Sequence, residues 1–320
     1  MDLPIRRILI TGGAGFIGTH LAERFCTDFE VVLFDNFSRD SLTLAPHLST
    51  HPNVTVMSGD VLNPDSVKKA LKDIDVVLHL AAIAGVSNYY QEPLRTLQVN
   101  ILGTVNVLEE VIKQKVQSFI YFSTSEVFGA NALWVDENSP FCVGPVSDLR
   151  WVYAASKLAG ENLSLRYAEK YRFACTILRP FNIYGPRQVG EGAISNFCRA
   201  VANKEPMTVY GDGSTVRAWC YISDLVDAVQ ALLRVPAAAG EALNVGNPRE
   251  VETTLGLARR ISRLVPAATI QFKNVSRSEV RVRIPVVDKA RKLLSFEPKV
   301  DLDEGLRRTL GWFVPEEMSQ

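Results

Sequence analysis

Tyr153 and Lys157 stand four residues apart in YAASK. On a helix that spacing puts both side chains on one face, a turn apart. An ammonium beside a phenol lowers its pKa, so the phenolate becomes accessible near neutral pH. Such a phenolate takes the proton of an alcohol while a hydride leaves the same carbon. Alone the pair means little, because tyrosine and lysine at this spacing are common on helix surfaces. Thr124 adds weight. It follows the apolar run Phe119–Ser123, and its hydroxyl completes a hydroxyl–tyrosine–lysine set able to orient the alcohol. Ser125 and Glu126 follow, so a carboxylate stands at the same strand end.

A departing hydride needs an acceptor, and the stretch Arg7–Gly18, RILITGGAGFIG, supplies a place for one. The apolar run Ile8–Ile10 stops at Thr11, and glycines follow at 12, 15 and 18. Gly12 suits a tight turn, Gly15 a close approach of backbone to pyrophosphate, and Gly18 close packing of helix on strand. A helical pattern begins with Phe16 and Ile17, and its N-terminus offers free N–H groups to phosphate. A second apolar run, Val31–Phe34, ends in Asp35-Asn36, about twenty residues beyond the loop, where a ribose-binding carboxylate belongs. A carboxylate there repels a 2′-phosphate, so NAD is expected over NADP. Taken alone, Asp35-Asn36 also reads as a plain turn; strand, loop, helix and acid together favour the dinucleotide site.

The elements that position these residues alternate. Strands are expected at Val54–Met57, Val76–Leu80, Phe119–Ser123 and Ala174–Leu178, with helices over Leu94–Lys113 and Tyr153–Tyr171. This alternation predicts an α/β fold, a Rossmann-type doubly wound parallel sheet with helices on both faces. Ligands in such sheets bind beyond the carboxyl ends of the strands. There the reading places Asp60-Val61, for adenine or equally a helix-entry turn, and the small-residue end Leu80-Ala81-Ala82, with Asn100 on the following helix. His79 lies within an apolar run and reads as a packed core residue. After Arg179 the pattern breaks at Pro180, Gly185 and Pro186. Residues 1–179 are therefore read as the dinucleotide domain. Residues 180–320 mainly form a smaller C-terminal substrate-binding lobe, with room for one strand to return to the sheet. Pro315–Gln320 reads as a frayed polar tail.

Composition excludes several classes. The 320 residues carry zero formal net charge, which favours neither nucleic acid nor an anionic membrane. No run approaches the roughly 20 apolar residues of a membrane span. Pro4, Arg6 and Arg7 interrupt any apolar opening run, so no secretory leader is expected. The cysteines at 26, 142, 175, 198 and 220 are scattered, with no metal spacing. They read as reduced, mostly buried thiols of a cytoplasmic, metal-free protein.

Longer motifs carry a resemblance. TGGAGFIG, DN at 35–36, HLAA at 79–82, YAASK at 153–157, RPFNIYGPR at 179–187 and VYGDGSTVRAWCYISDL at 209–225 resemble the extended short-chain dehydrogenase/reductases that act on nucleotide sugars. The likeness covers nearly the whole chain. It implies tightly held NAD, a UDP-sugar on the C-terminal lobe, and a homodimer packed through two helices of each subunit. By position, Asn182 is similar to the asparagine that holds the diphosphate sugar, and Arg217 to the arginine that meets the diphosphate. Asn196 lies in the segment that approaches the base. Arg187, Val209 and Tyr210 fall in the substrate-side motifs, and Tyr89 in a sugar-facing segment, NYYQEPLRT.

The reaction turns on Glu126. A 4-epimerase has no need of a carboxylate there. STSEVFG resembles the STSEVYG of sugar 4,6-dehydratases, whose glutamate removes the C5 proton, and of UDP-glucuronate decarboxylases. FCVGPVSDLRWVYAASK, NYYQEPLRT and Arg283-Ile284-Pro285 resemble decarboxylase segments, and in the last of these the arginine lies near C5 of the sugar. Decarboxylation is the leading expectation. AGV at 84–86 looks like the uronate 4-epimerases, and SEVRVR at 278–283 looks like a dehydratase segment; Arg281 is the alternative to Arg283 as the active arginine. A non-catalytic sensor on this fold would show a degraded site, whereas the Thr, Tyr, Lys and Glu positions are all filled.

Overall fold

The computed structural model describes residues 5–274 and 280–314. Pro4, Ser278, Glu279 and the tail Pro315–Gln320 lie outside the described residues.

The first apolar runs form β1 (Arg7–Thr11), β2 (Glu30–Asp35), β3 (Val54–Ser58), β4 (Val76–His79) and β5 (Ser118–Phe122). The chain then makes β6 (Asn131–Val135), β7 (Ala174–Pro180), β8 (Ile183–Tyr184), β9 (Met207–Tyr210), β10 (Val216–Ala218) and β11 (Cys220–Tyr221). It ends with β12 (Ala242–Val245), β13 (Val251–Thr253), β14 (Ile270–Lys273) and β15 (Val282–Pro285). A seven-stranded sheet runs in the order β12-β7-β5-β4-β1-β2-β3, and its pairings are all parallel. Ile8, Leu9 and Ile10 are fully buried in succession. That is how a parallel strand covered on both faces must read, and it explains the unbroken apolar run. The expected strands all form, with ends shifted by a residue or two.

Two features depart from the linear reading. The helix expected over Leu94–Lys113 is helical throughout but not uniform: Pro93–Leu97 and Gly103–Lys113 flank a π-helical turn, Gln98–Leu102. The wide turn carries Asn100, and such turns are frequent at functional sites. The two halves of the chain also interleave. β6, from the first half, is the edge of a four-stranded sheet β13-β10-β15-β6, while β12, from the second, pairs with β7 in the large sheet. Helix Ile222–Leu232 likewise packs against helix Phe16–Phe25, where Arg24 meets Asp227 at 2.9 Å. Among the described residues no helix is long and apolar enough to cross a membrane.

Candidate active site

The glycine turn follows β1. Gly12 has φ +70°, and a Cβ there would lie 2.8 Å from the backbone nitrogen of Ala81. The ends of β1 and β4 thus meet with no room for a side chain. A Cβ on Gly18 would come within 2.7 Å of the Gly12 and Gly13 carbonyls, so the helix can lie on the loop only without one. Helix Phe16–Phe25 has no side-chain cap and no acid in its first turn, which leaves its N–H groups to an anion. Phe16 and Ile17 pack against the core at its start.

Asp35, at the end of β2, accepts from Ala14 N at 3.0 Å and Phe37 N at 2.8 Å. Burial outweighs these bonds and holds its carboxyl above the usual range. Asn36 is exposed and accepts from Ser38 N. Turn, bare helix end and strand-end acid fit a dinucleotide, with Leu80, Ala81 and Ala82 partly exposed beside them.

Asn100 reaches back from the π-turn. Its Oδ1 accepts from Ile83 N at 2.8 Å, and its Nδ2 donates to Ile83 O and to Ser156 Oγ. Its side chain is therefore engaged in holding the 80–84 strand end to the catalytic helix. His79 is fully buried between Thr11 Oγ1 at 2.7 Å and Thr104 Oγ1 at 3.0 Å, and burial drives its pKa down to about 3, so it is a neutral core group. Asp60 accepts from Arg95 at 2.7 Å, and Val61 is buried. Asn63, not Asp60, caps helix Pro64–Ala70.

The catalytic set converges at the end of β5. Thr124 precedes the turn Ser125–Phe128 and caps it by accepting from Glu126 N at 3.2 Å. Ser125 is buried. Tyr153 and Lys157 lie on helix Val152–Tyr171, and Thr124 is near enough to pull the Tyr153 pKa down. Lys157 differs from expectation. Its Nζ donates to the Phe122 carbonyl at 2.7 Å, and burial pushes its pKa from 10.5 to about 7. Tyr153 is held above its ordinary range by burial and by the Glu126 carboxylate, against the weaker pull of Thr124, Arg39 and Arg283. The expected lowering of the phenol by Lys157 is not the dominant field around it.

Glu126 lies between two guanidiniums. Arg150 Nη1 donates to its Oε2 at 2.6 Å, and Arg283 Nη1 stands 3.5 Å from its Oε1. Burial alone would raise the carboxyl; Arg283 and Arg150 overcome this, with help from Arg217, and hold it below the usual range. β15 brings Arg283 in, pairing it with Arg217 on β10 and with Ala132 on β6. Arg283 is 6% exposed, while Arg281 points to solvent. Among the described residues, Arg283 Nε and Nη2 are buried with no hydrogen-bond partner. Arg150 itself carries no individual role in the motifs. Its one signal is position, a cation between Leu149 and Trp151 just ahead of the tyrosine helix.

The remaining residues expected on the substrate side are dispersed along the chain. Tyr89 is 1% exposed, stacks on Tyr153 at 6.2 Å and accepts from Arg150 at 2.7 Å, so it backs the site instead of facing a sugar. Asn182 has φ +44° and donates to Ala218 O. Arg217 donates to the Val216 and Val280 carbonyls. Arg187 is buried against Glu23 at 2.6 Å and His20 at 2.9 Å, and ties its loop to helix Phe16–Phe25. Val209 is fully buried, while Tyr210 and Asn196 are exposed, Asn196 accepting from Arg199. No group of three or more His, Cys, Asp or Glu among the described residues is placed to hold a metal. Cys142 is the exception to the expected burial of the thiols.

Known proteins with this geometry agree on the class. The profile of the NAD dependent epimerase/dehydratase family matches residues 8–246. UDP-glucuronic acid decarboxylase 1 of Arabidopsis thaliana is 36% identical over 313 residues, 96% of this chain and 69% of the relative. A UDP-N-acetyl-alpha-D-glucosaminuronate decarboxylase of Bacillus cytotoxicus is 34% identical over 319 residues, 96% of this chain and 98% of the relative. The UDP-glucuronic acid 4-epimerase of Bacillus cereus, solved with UDP-glucuronic acid and NAD, superposes with a TM-score of 0.88 at 30% identity, covering 97% and 99% of the two chains. With its glycine turn, strand-end acid and Thr–Tyr–Lys set in register, the chain belongs to the NAD dependent epimerase/dehydratase family.

Proposed function

We propose that this chain is a UDP-uronate decarboxylase, with UDP-glucuronate as substrate. The observation that carries the reading is Arg283: buried beside Glu126, with its Nε and Nη2 edge unpartnered among the described residues. That edge of a guanidinium presents two parallel N–H groups and suits a carboxylate. The relatives named above are all named for UDP-uronates or act on them, which supports a carboxylate-bearing sugar.

NAD, when bound, supplies hydride chemistry at C4 of the sugar. Gly12, Gly15 and the N-terminus of helix Phe16–Phe25 would hold its diphosphate, and Asp35 its ribose. Thr124 orients the C4 hydroxyl, and Tyr153, once ionised to the phenolate, takes its proton. The resulting C4 ketone lies β to the carboxylate. The C5–carboxylate bond breaks, carbon dioxide leaves, and the electron pair moves into an enolate across C4 and C5. Thr124 and Tyr153 donate to the enolate oxygen, where charge develops. Glu126, held as a carboxylate by Arg150 and Arg283, is a poor proton source and a poor base. This argues against C5 deprotonation, the dehydratase route. A water held by Arg283 gives C5 the new proton that takes the place of the departed carboxylate, as the enolate collapses to the C4 ketone. Residues 180–320 mainly form the lobe that grips the UDP-sugar.

A homodimer through helices Pro93–Leu97 with Gly103–Lys113 and Val152–Tyr171 is supported by exposed Leu94 (66%) and Leu102 (52%). The free thiols support a reducing, cytoplasmic setting.

The test is mass spectrometry after separate incubation with UDP-glucuronate, UDP-N-acetylglucosaminuronate and UDP-glucose. Loss of carbon dioxide from UDP-glucuronate is expected. Inversion at C4 without mass change would make it a uronate epimerase, the reading favoured by the 84–86 segment. Loss of water would make it a dehydratase.

A further inference from the structure

Arg150 lies on the single turn Leu149–Trp151, just ahead of helix Val152–Tyr171, and is 6% exposed. Asp148 caps the turn by accepting from Arg150 N at 2.9 Å. The guanidinium rests 5.6 Å from the ring centroids of both Tyr89 and Trp151. One nitrogen, Nη1, donates to Tyr89 Oη at 2.7 Å and to Glu126 Oε2 at 2.6 Å. Glu126 is thus drawn to the Arg150 side. Among the described residues its second oxygen reaches only Arg283 Nη1, at 3.5 Å, and leaves Arg283 Nε and Nη2 without a partner.

The same chain shows a glutamate that covers this edge of an arginine. Glu161 takes both Nε and Nη2 of Arg179, at 2.9 and 2.7 Å, and occupies that edge completely. Glu126 lies beside Arg283 but meets it through Nη1, at 3.5 Å, and not along the Nε–Nη2 edge.

We propose that Arg150 is a positioning and specificity residue: by bridging Tyr89 and Glu126 it keeps Glu126 off the Nε–Nη2 edge of Arg283 and so keeps that edge open to the carboxylate of a UDP-uronate. The inference rests on the uronate reading above. The charged and titratable groups facing Glu126 are Arg150 from the turn, Arg217 from β10, Arg283 from β15, Tyr89 from helix Val86–Gln91 and Tyr153 from helix Val152–Tyr171. Removing Arg150 takes away one of three cations and frees the carboxylate to swing.

The experiment compares wild type, Arg150→Met and Arg150→Lys. Calorimetry gives affinities for UDP-glucuronate, UDP-glucose, UDP and NAD, and carbon dioxide release gives the pH profile. In Arg150→Met the preference for UDP-glucuronate over UDP-glucose is expected to fall by about tenfold or more, the worth of one charge-assisted contact. UDP and NAD affinities stay as in wild type. The acid limb of kcat/KM moves to higher pH, because Glu126 has lost a neighbouring cation. Glu126→Gln abolishes that movement, so the double variant shows no further pH effect. Arg150→Lys restores most of the acid limb and part of the preference.

An unchanged preference and acid limb in folded Arg150→Met would overturn the proposal. So would a parallel loss of UDP, NAD and UDP-glucuronate affinity, which marks a purely structural role. If Arg150→Met does not fold, Arg150→Lys is read alone: a severalfold loss of preference with a nearly unmoved limb supports the proposal, and an unaltered preference overturns it. A wild type that prefers no uronate and releases no carbon dioxide defeats the underlying functional reading instead, and is told apart by that control.

Discussion

Two glutamate–arginine clusters lie at the carboxyl edge of the large sheet, and they differ in one respect. Around Glu161 everything is closed. Arg179 gives it Nε and Nη2, Ser123 donates at 2.5 Å, and the third arginine nitrogen goes to Glu137 O at 3.2 Å. Around Glu126 the cluster is open, because Arg283 keeps two buried N–H donors unpaired among the described residues. Burial does not separate them: the arginine side chains are 5% and 7% exposed. Satisfaction does. A closed cluster joins helix Val152–Tyr171 to the ends of β5 and β7, while an open one holds donors ready for a ligand. A buried donor without a partner costs stability, and such costs persist where binding needs them.

The largest effect is expected from breaking the closed cluster. Glu161→Leu leaves the Arg179 charge buried and unpaired, and should lower stability by about 3–5 kcal/mol. Chemical denaturation measures it. Adding Arg179→Met should recover much of the loss, since it removes the stranded charge. If Glu161→Leu is as stable as wild type, the closed cluster is not holding the helix to the sheet.

The open cluster should respond in the opposite way. Arg283→Met removes two unsatisfied donors and leaves Glu126 its bond to Arg150, so the unfolding midpoint should move little. Carbon dioxide release from UDP-glucuronate should fall by about 10²-fold or more, of the order expected when a buried charge partner of a ligand is lost. A variant that unfolds but retains turnover per folded molecule would erase the contrast between the clusters.

How much of this was legible follows from where each signal lies. The large sheet was, because strands buried on both faces write continuous apolar runs such as Ile8–Ile10 and Val31–Phe34. The glycine turn and the Tyr153–Lys157 pair stood out as candidates because their spacing is local, and Thr124 because it ends an apolar strand run. That a strand returns to the large sheet was allowed for, but not which, since a short edge segment such as Ala242–Val245 carries no mark of the sheet it joins; the crossing of β6 to the other sheet was not legible for the same reason. The state of Lys157 was not, because it depends on the Phe122 carbonyl, 35 residues away in sequence. Arg150 was missed for the same reason: its partners, Tyr89 and Glu126, come from other elements. The partners of Arg187, Glu23 and His20, were not legible either, because a motif gives a residue its place and not its partner.

Lys157 sharpens the comparison by about 2 kcal/mol. It lies one turn before Glu161, whose charge pulls its pKa up against burial, yet the pKa still sits near 7. Its folded pKa is below its unfolded value. Between about 7 and 10.5 the unfolded chain therefore binds more protons, and stability rises with pH. At about 1.4 kcal/mol per unit, the rise from pH 7 to 8.5 is roughly 2 kcal/mol. Lys157→Met should flatten that slope, as read from denaturation at several pH values. An equal slope in both proteins would mean that Lys157 is not the group titrating.

Asp35 is a third carboxylate at the same edge, and it is satisfied without a cation. Its partners are the amides of Ala14 and Phe37, which leave burial uncompensated, so its pKa is raised where that of Glu126 is lowered. Two consequences follow. Each oxygen still has a lone pair for a ribose hydroxyl, and the full charge still repels a 2′-phosphate. NAD should therefore bind better than NADP, and Asp35→Ala should narrow the gap by about tenfold, or 1.4 kcal/mol. NAD affinity in wild type should weaken as the pH falls toward the raised pKa, because the protonated acid loses acceptor strength. Asp35→Ala should show no such weakening. Calorimetric titration with NAD and NADP at neutral and acidic pH decides it: equal affinities in wild type would remove Asp35 from the cofactor site and leave it only a structural part, holding the glycine turn.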